Sequence, residues 1–288
     1  MSGLVNAHAP FDAALQAAFE ANIAAALAED IGSGDLTGLL VPAGLEVEAR
    51  VIVREEAVLC GAPWFEGVMM RVDPRIRIRW QHAEGDLMQA SGTVCMIAGP
   101  ARAILTAERS ALNFLQLLSA VASATRRHVQ AVEGTAARIL DTRKTLPGLR
   151  LAQKYAVRVG GGDNQRLALY DGILIKENHI AAAGGVAAAL RAAQALGSGA
   201  PVQIEVESLH ELNEALDAGA TSILLDNFST ALMREAVAIN AGRALLEASG
   251  GVSMATLRAI AETGVDRISI GALTKDVQAT DYSLRVVG

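Results

Sequence analysis

The sequence predicts a mixed α/β protein whose second half is a parallel barrel of βα units. Three observations predict it. From about residue 116, short apolar runs alternate with helix-length segments, the pattern of buried parallel strands. Six such runs are plain: "ARIL" (137–140), "GILI" (172–175), "VQIEV" (202–206), "SILL" (222–225), "ALLEA" (244–248) and "RISI" (267–270). Charged, amide or glycine residues follow each run. A doubly wound open sheet is the rival arrangement. It would spread those groups along a crevice, whereas a barrel gathers them around one mouth. With six plain strands the barrel is either incomplete or carries a seventh strand before residue 133.

In chain order, "APFDAALQAAFEANIAAALAED" reads as a helix that the glycines of "DIGSGDLTG" terminate. "EVEARVIVREEAVLC" and "RIRIRW" alternate apolar and polar residues, as half-buried strands do. Residues 1–115 therefore read as a sheet with helices on one face. Among the barrel helices, Ser208 and Glu211 have capping-box spacing ahead of a Leu209, Leu212 and Leu216 face. Ser253 is placed to cap a helix bearing Met254, Leu257 and Ile260.

Composition narrows the function. The chain has 288 residues, 51% of them hydrophobic, enough for one large core or two modest ones. A net charge of -6 argues against bulk attraction to nucleic acid or an anionic membrane, so anion binding has to come from locally placed cations. Cys60 and Cys95 show neither zinc spacing nor a disulfide framework and are expected to be inert, buried thiols. No Lys or Arg precedes Arg50, and "IAAAGGVAAAL" is about half the ~20 residues of a membrane span, so a cytoplasmic location is expected.

The local cations lie where the strands end. Arg143 and Lys144 follow the first barrel strand and Lys176 the second; Arg166 stands between them, and two of the chain's four lysines belong to this set. Cations gathered in one cavity repel unless anions fill it, and guanidinium holds carboxylates or phosphates through paired hydrogen bonds. Glu205 and Asp226 supply the opposite sign at neighbouring strand ends, suited to Mg²⁺ bound through water, to sugar hydroxyls or to a developing carbocation. Small residues close the last two strands, in "ASGGV" and "SIGALT", where barrels often hold a phosphate on backbone N–H groups. No Ser/His/Asp or Cys/His arrangement supports a covalent hydrolase.

The segments "EDIGSGDLT", "ERSALNFLQLLSAVAS", "LDTRKTLPGLR", "QKYAVRVGGGDNQR", "LYDGILIKENHI", "IEVES", "ILLDNF", "ASGGV" and "SIGALT" together resemble the quinolinate phosphoribosyltransferases. The resemblance implies an N-terminal α/β sandwich domain, residues 1–115 joined by the tail 274–288, and an incomplete TIM-type α/β barrel over 116–273. It implies transfer of phosphoribose from 5-phosphoribosyl 1-pyrophosphate to quinolinate, with Mg²⁺ and loss of CO₂, to give nicotinate mononucleotide in NAD biosynthesis. A homodimer, or a multiple of one, with shared active sites is implied as well. By matching position, Arg109 reaches the neighbouring subunit's site, and Arg143, Gln165, Arg166 and Lys176 surround the quinolinate carboxylates. Lys144 lies near the donor, Glu205 and Asp226 hold ribose hydroxyls and metal, and Ser249, Gly250, Gly251 and Gly271 take the 5-phosphate. Lys144, Glu205 and Asp226 are thereby the candidate catalytic groups. One position departs: Gln165 stands where the family has a histidine, and an amide donates hydrogen bonds but never becomes a cation.

Overall fold

A computed structural model describes residues 3–287. In chain order the elements are α1 (Ala13–Ile31), β1 (Glu46–Val53), β2 (Ala57–Val58), α2 (Ala62–Val72), β3 (Arg77–Trp80), β4 (Leu87–Met88), β5 (Thr93–Pro100) and α3 (Ala101–Ala131). There follow β6 (Arg138–Leu140), α4 (Arg150–Val159), β7 (Ile173–Ile175), α5 (Glu177–Ala183), α6 (Val186–Ala195), β8 (Val202–Val206) and α7 (Leu209–Asp217). The chain ends with β9 (Ser222–Asp226), α8 (Thr230–Asn240), β10 (Leu245–Ser249), α9 (Met254–Ala261), β11 (Arg267–Ser269), α10 (Ala272–Lys275) and β12 (Tyr282–Val287). Among the described residues no helix is long and apolar enough to cross a membrane.

These elements form two compact units. The first takes residues through Arg126, the segment Thr145–Gly161 and the chain from Thr274 onward; the second takes Arg127–Lys144 and Gly162–Leu273. The boundary expected after residue 115 falls inside α3, which runs without a break. Segment 145–161, expected in the barrel, instead packs α4 into the first core through Ala152, Tyr155, Ala156 and Val159. Their spacing marks an amphipathic helix, but periodicity does not say which core receives it.

The first unit is built on an antiparallel sheet of order β12-β1-β5-β3. In β1, Ala49, Val51 and Val53 alternate inward, and against them pack Trp64 and Phe65 of α2, Leu112 and Leu115 of α3 and Tyr155 of α4. Asp12 starts α1 by accepting the Leu15 N–H at 2.8 Å. The C-terminal strand β12 pairs with β1 from Glu48↔Val287 to Val53↔Tyr282. Gln153 ties this unit's outlying segments together, accepting from Leu146 N and donating to Thr274 O, both at 2.8 Å.

All six barrel strands appear in the second unit, as one parallel sheet of order β6-β11-β10-β9-β8-β7. From β7 to β11 each new strand adds on the same side, and β6, first in the chain, pairs with the last. That is the winding of a barrel; a doubly wound sheet reverses direction at a switch point. No ladder joins β6 to β7, so the barrel is open, and no seventh strand joins the sheet among the described residues. Before β6 stand only a turn, residues 132–137, and α3, and the connection from β6 to β7 runs through segment 145–161, which packs in the first unit.

Candidate active site

Parallel strands in register place their C-terminal residues side by side, and here the register pairs Ser249 with Asp226 and Glu205 with Leu224. Lys176, the first residue after β7, turns its ammonium onto Glu205 at 2.8 and 3.1 Å. Glu205 is 8% exposed while the Lys176 side chain stays 43% exposed, so a buried carboxylate meets a partly solvated ammonium at the mouth of the sheet.

Asp141 directly follows β6, is fully buried, and accepts from the Gln165 N–H at 2.8 Å and from Asn164 Nδ2 at 2.7 Å. Those two bonds fasten loop 163–166 beside the turn that carries Arg143. Burial lowers the Arg166 pKa, the positive charge of Arg143 lowers it further, and Asp171 and Glu205 oppose both. Arg143, Arg166 and Glu205 therefore share one field, in which an added anion is stabilised. Lys144 lies along Gly271: a Cβ there would come within 3.1 Å of Lys144 Cδ. Glycine at 271 leaves the lysine its path.

The turns after β9 and β10 are knitted together. Asn227 donates its N–H to Ser249 O at 2.9 Å and its Nδ2 to Asp226 at 2.9 Å. Gly250, at φ +91°, lies so close that a Cβ would collide with Asn227 Oδ1, so glycine is required there on two counts. The Cβ position of Gly251 faces open space, leaving its backbone approachable. Beyond these turns, α9 begins after Ser253 and α10 directly after Gly271.

Two carboxylates, Glu205 and Asp226, are the hard oxygen donors of this mouth. Among the described residues no group of three or more His, Cys, Asp or Glu forms a metal cage. A pair of this kind fits Mg²⁺, which usually keeps several waters and completes its shell with substrate phosphates. Arg109 belongs to the first unit, exposed on α3 and without a hydrogen bond or salt bridge to any described residue. Its charge only lowers the pKa of neighbouring Glu108, which burial raises. Both cysteines are free and fully buried, and burial drives both thiol pKa values up, leaving them inert.

A cavity of 890 Å³ occupies the interior behind loop 163–166, and Gln203, Ser222, Leu245 and Arg267 line it. Ser222, Leu245 and Arg267 are the first residues of their strands, so the cavity reaches the end of the sheet opposite the charged groups. The candidate catalytic groups stand at the charged end, and Gln165 and Arg166 also line the cavity. Sequence reasoning missed two buried polar residues of this interior, Gln203 and Glu247. The available signal was a polar residue at an inward position of an otherwise apolar strand, in "VQIEV" and in "LLEAS".

Comparison with known proteins agrees with this arrangement. The family profile "Quinolinate phosphoribosyl transferase, N-terminal domain" matches residues 35–119, and its C-terminal counterpart matches 121–285. The nicotinate-nucleotide pyrophosphorylase [carboxylating] of Mycobacterium leprae is 43% identical over 266 residues, covering 90% of this chain and 94% of its own. The quinolinate phosphoribosyltransferase [decarboxylating] 1 of Nicotiana glauca is 38% identical, with 91% and 80% covered. The solved nicotinate-nucleotide pyrophosphorylase of Francisella tularensis superposes with a TM-score of 0.93 at 42% identity, covering all of both chains. On its fold, its strand-end groups and these matches along nearly its whole length, the chain belongs to the quinolinate phosphoribosyltransferase family.

Proposed function

We propose that this protein transfers the phosphoribosyl group of 5-phosphoribosyl 1-pyrophosphate to quinolinate and releases CO₂, pyrophosphate and nicotinate mononucleotide, a step of de novo NAD synthesis. The observation that carries this reading is the shared field of Arg143 and Arg166 beside the Lys176–Glu205 pair. Two guanidinium groups held together call for a doubly charged acceptor, and quinolinate brings two adjacent carboxylates.

In the first step the pyridine nitrogen forms a bond to the ribosyl anomeric carbon while the bond to pyrophosphate breaks. Positive charge builds on the sugar, and Glu205 and Asp226 oppose it from the mouth of the sheet. The same two carboxylates would hold Mg²⁺ through water, and the ion would neutralise charge on the departing pyrophosphate. In the second step the carboxylate beside the ring nitrogen leaves as CO₂, and its bonding electron pair stays on the ring carbon until a proton arrives. Lys144 is the cation assigned to stabilise that carbanion, next to the positive pyridinium. Ser249, Gly250, Gly251 and Gly271 take the 5-phosphate on backbone N–H groups.

Arg109, exposed and unpaired among the described residues, is assigned to the site of a second subunit in a homodimer. The two buried free cysteines suit a cytoplasmic enzyme. Purified protein given quinolinate and the ribosyl donor is expected to release CO₂ only with Mg²⁺ present. No CO₂ at saturating substrate would overturn the reading and leave a barrel that merely binds an anionic metabolite. Mixing inactive Arg109→Ala chains with inactive Lys144→Ala chains is expected to restore partial activity. No rescue despite proven chain exchange would confine each site to one subunit.

A further inference from the structure

Beneath the charged mouth lies a buried polar layer that this mechanism does not use. Gln203 shares the inward face of β8 with Glu205, two residues along, and is 8% exposed. Glu247, in the middle of β10, is 1% exposed. Gln203 Nε2 donates to Glu247 Oε2 at 2.9 Å; Gln165 Nε2 donates to Gln203 Oε1 at 2.7 Å and lies 3.4 Å from both Glu247 oxygens. On its other side, Gln165 Oε1 accepts the Arg166 N–H at 2.6 Å, which fixes the orientation of the amide. Glu247 makes no ion pair with any described residue.

A buried carboxylate without a cation is costly, even when amides satisfy its lone pairs. This one is placed where it clamps a loop. Asp141 holds Gln165 by its backbone N–H, and Gln203 with Glu247 holds it by its side chain. Arg143 lies two residues beyond Asp141, and Arg166 directly follows Gln165. The clamp therefore joins the two segments whose guanidinium groups repel each other.

We propose that Glu247 and Gln203 are positioning residues for acceptor recognition: acting through Gln165, they hold Arg166 against Arg143 at the spacing that selects two adjacent carboxylates over one. The proposal rests on the quinolinate reading above and goes beyond it. It also gives Gln165 a part that needs no positive charge. The amide serves as the link between the buried layer and the arginine loop.

The test compares Glu247→Gln and Gln203→Met with the parent enzyme in steady-state kinetics. Phthalate and benzoate serve as dead-end probes with two adjacent carboxylates and with one. In both variants the quinolinate KM and the phthalate inhibition constant are expected to rise about fivefold to tenfold, the loss of one charge-assisted hydrogen bond. The KM of the ribosyl donor and the benzoate constant are expected to stay within twofold. If Glu247→Gln does not fold, Gln203→Met carries the same expectation on a more exposed residue. Unchanged quinolinate and phthalate constants, or a parallel rise in all four, would overturn the proposal and reduce the layer to core structure. Absence of quinolinate turnover in the parent enzyme would instead overturn the proposed function.

Discussion

The interiors of the two units solve the same burial problem with different materials. All the chain's aromatic residues except Tyr170 and Phe228 belong to the first unit, where Phe11, Phe19 and Tyr155 surround Trp64 at ring separations of 5.5, 5.4 and 5.3 Å. A single carboxylate enters that core. Glu84 accepts from Gly61 N and Ala62 N at the start of α2, at 2.8 and 3.2 Å, and from the Tyr155 hydroxyl at 3.0 Å. The second unit buries Asp141, Gln203, Glu205 and Glu247 around an open interior. Both units satisfy their buried acids with hydrogen-bond donors, as low-dielectric interiors require. In the first the acid anchors a helix start; in the second the acids hold Asn164, Gln165, Lys176 and Gln203. Buried carboxylates are thus concentrated in the unit that carries the candidate site.

That contrast can be broken from either side. Trp64→Ala in the aromatic core is expected to cost about 3–5 kcal/mol of stability, measured by urea unfolding, with kcat/KM of the folded protein nearly unchanged. Arg166→Ala is expected to reverse the pattern, lowering kcat/KM for quinolinate about 10²–10³-fold, or ~3–4 kcal/mol, with little change in unfolding. A large activity loss in the first variant, or a large stability loss in the second, would erase the division between the two interiors.

A smaller effect separates the two kinds of buried acid. Burial pushes the Glu84 carboxyl from the ordinary 4.5 up to about 7, against the bonds from Gly61, Tyr155 and Ala62. The native state therefore binds this proton more tightly than the unfolded chain. The stabilisation is complete below about pH 4.5 and is lost as pH rises through about 7. Each pKa unit is worth 1.36 kcal/mol, so the loss is on the order of 3 kcal/mol. Subtracting the unfolding free energy of Glu84→Gln from that of the parent, at pH 5 and again at pH 7.5, is expected to give a difference that falls over this window. A constant difference would mean that the Glu84 carboxyl ionises in the fold as it does in water.

The sequence displays the six barrel strands because a buried parallel strand is apolar on both faces, and a run such as "SILL" admits few other interpretations. Arg143, Lys144, Lys176, Glu205 and Asp226 stand out because charge is conspicuous directly after such runs. The destination of α4 is hidden, since an amphipathic face does not name its partner. Gln203 and Glu247 are hidden for a related reason. One polar residue in a strand signals burial with a purpose only when its partners are known, and they come from β8, β10 and loop 163–166. The boundary after residue 115 rests on the change of pattern along the chain; space divides the chain by packing, which crosses that line in α3 and in segment 145–161.

The pairing of β12 with β1 also bears on how the protein is made. β1 is synthesised more than two hundred residues ahead of its neighbour Tyr282–Val287 and waits with one row of N–H and C=O groups unpaired. An exposed strand edge is a template for the wrong partner, and here it persists until residues 282–287 have been made. A chain that stops short of β12 keeps that edge open permanently. Pairing with β12 thus withdraws an adhesive surface, and copies in which that pairing has not formed stay exposed to chaperones and proteases.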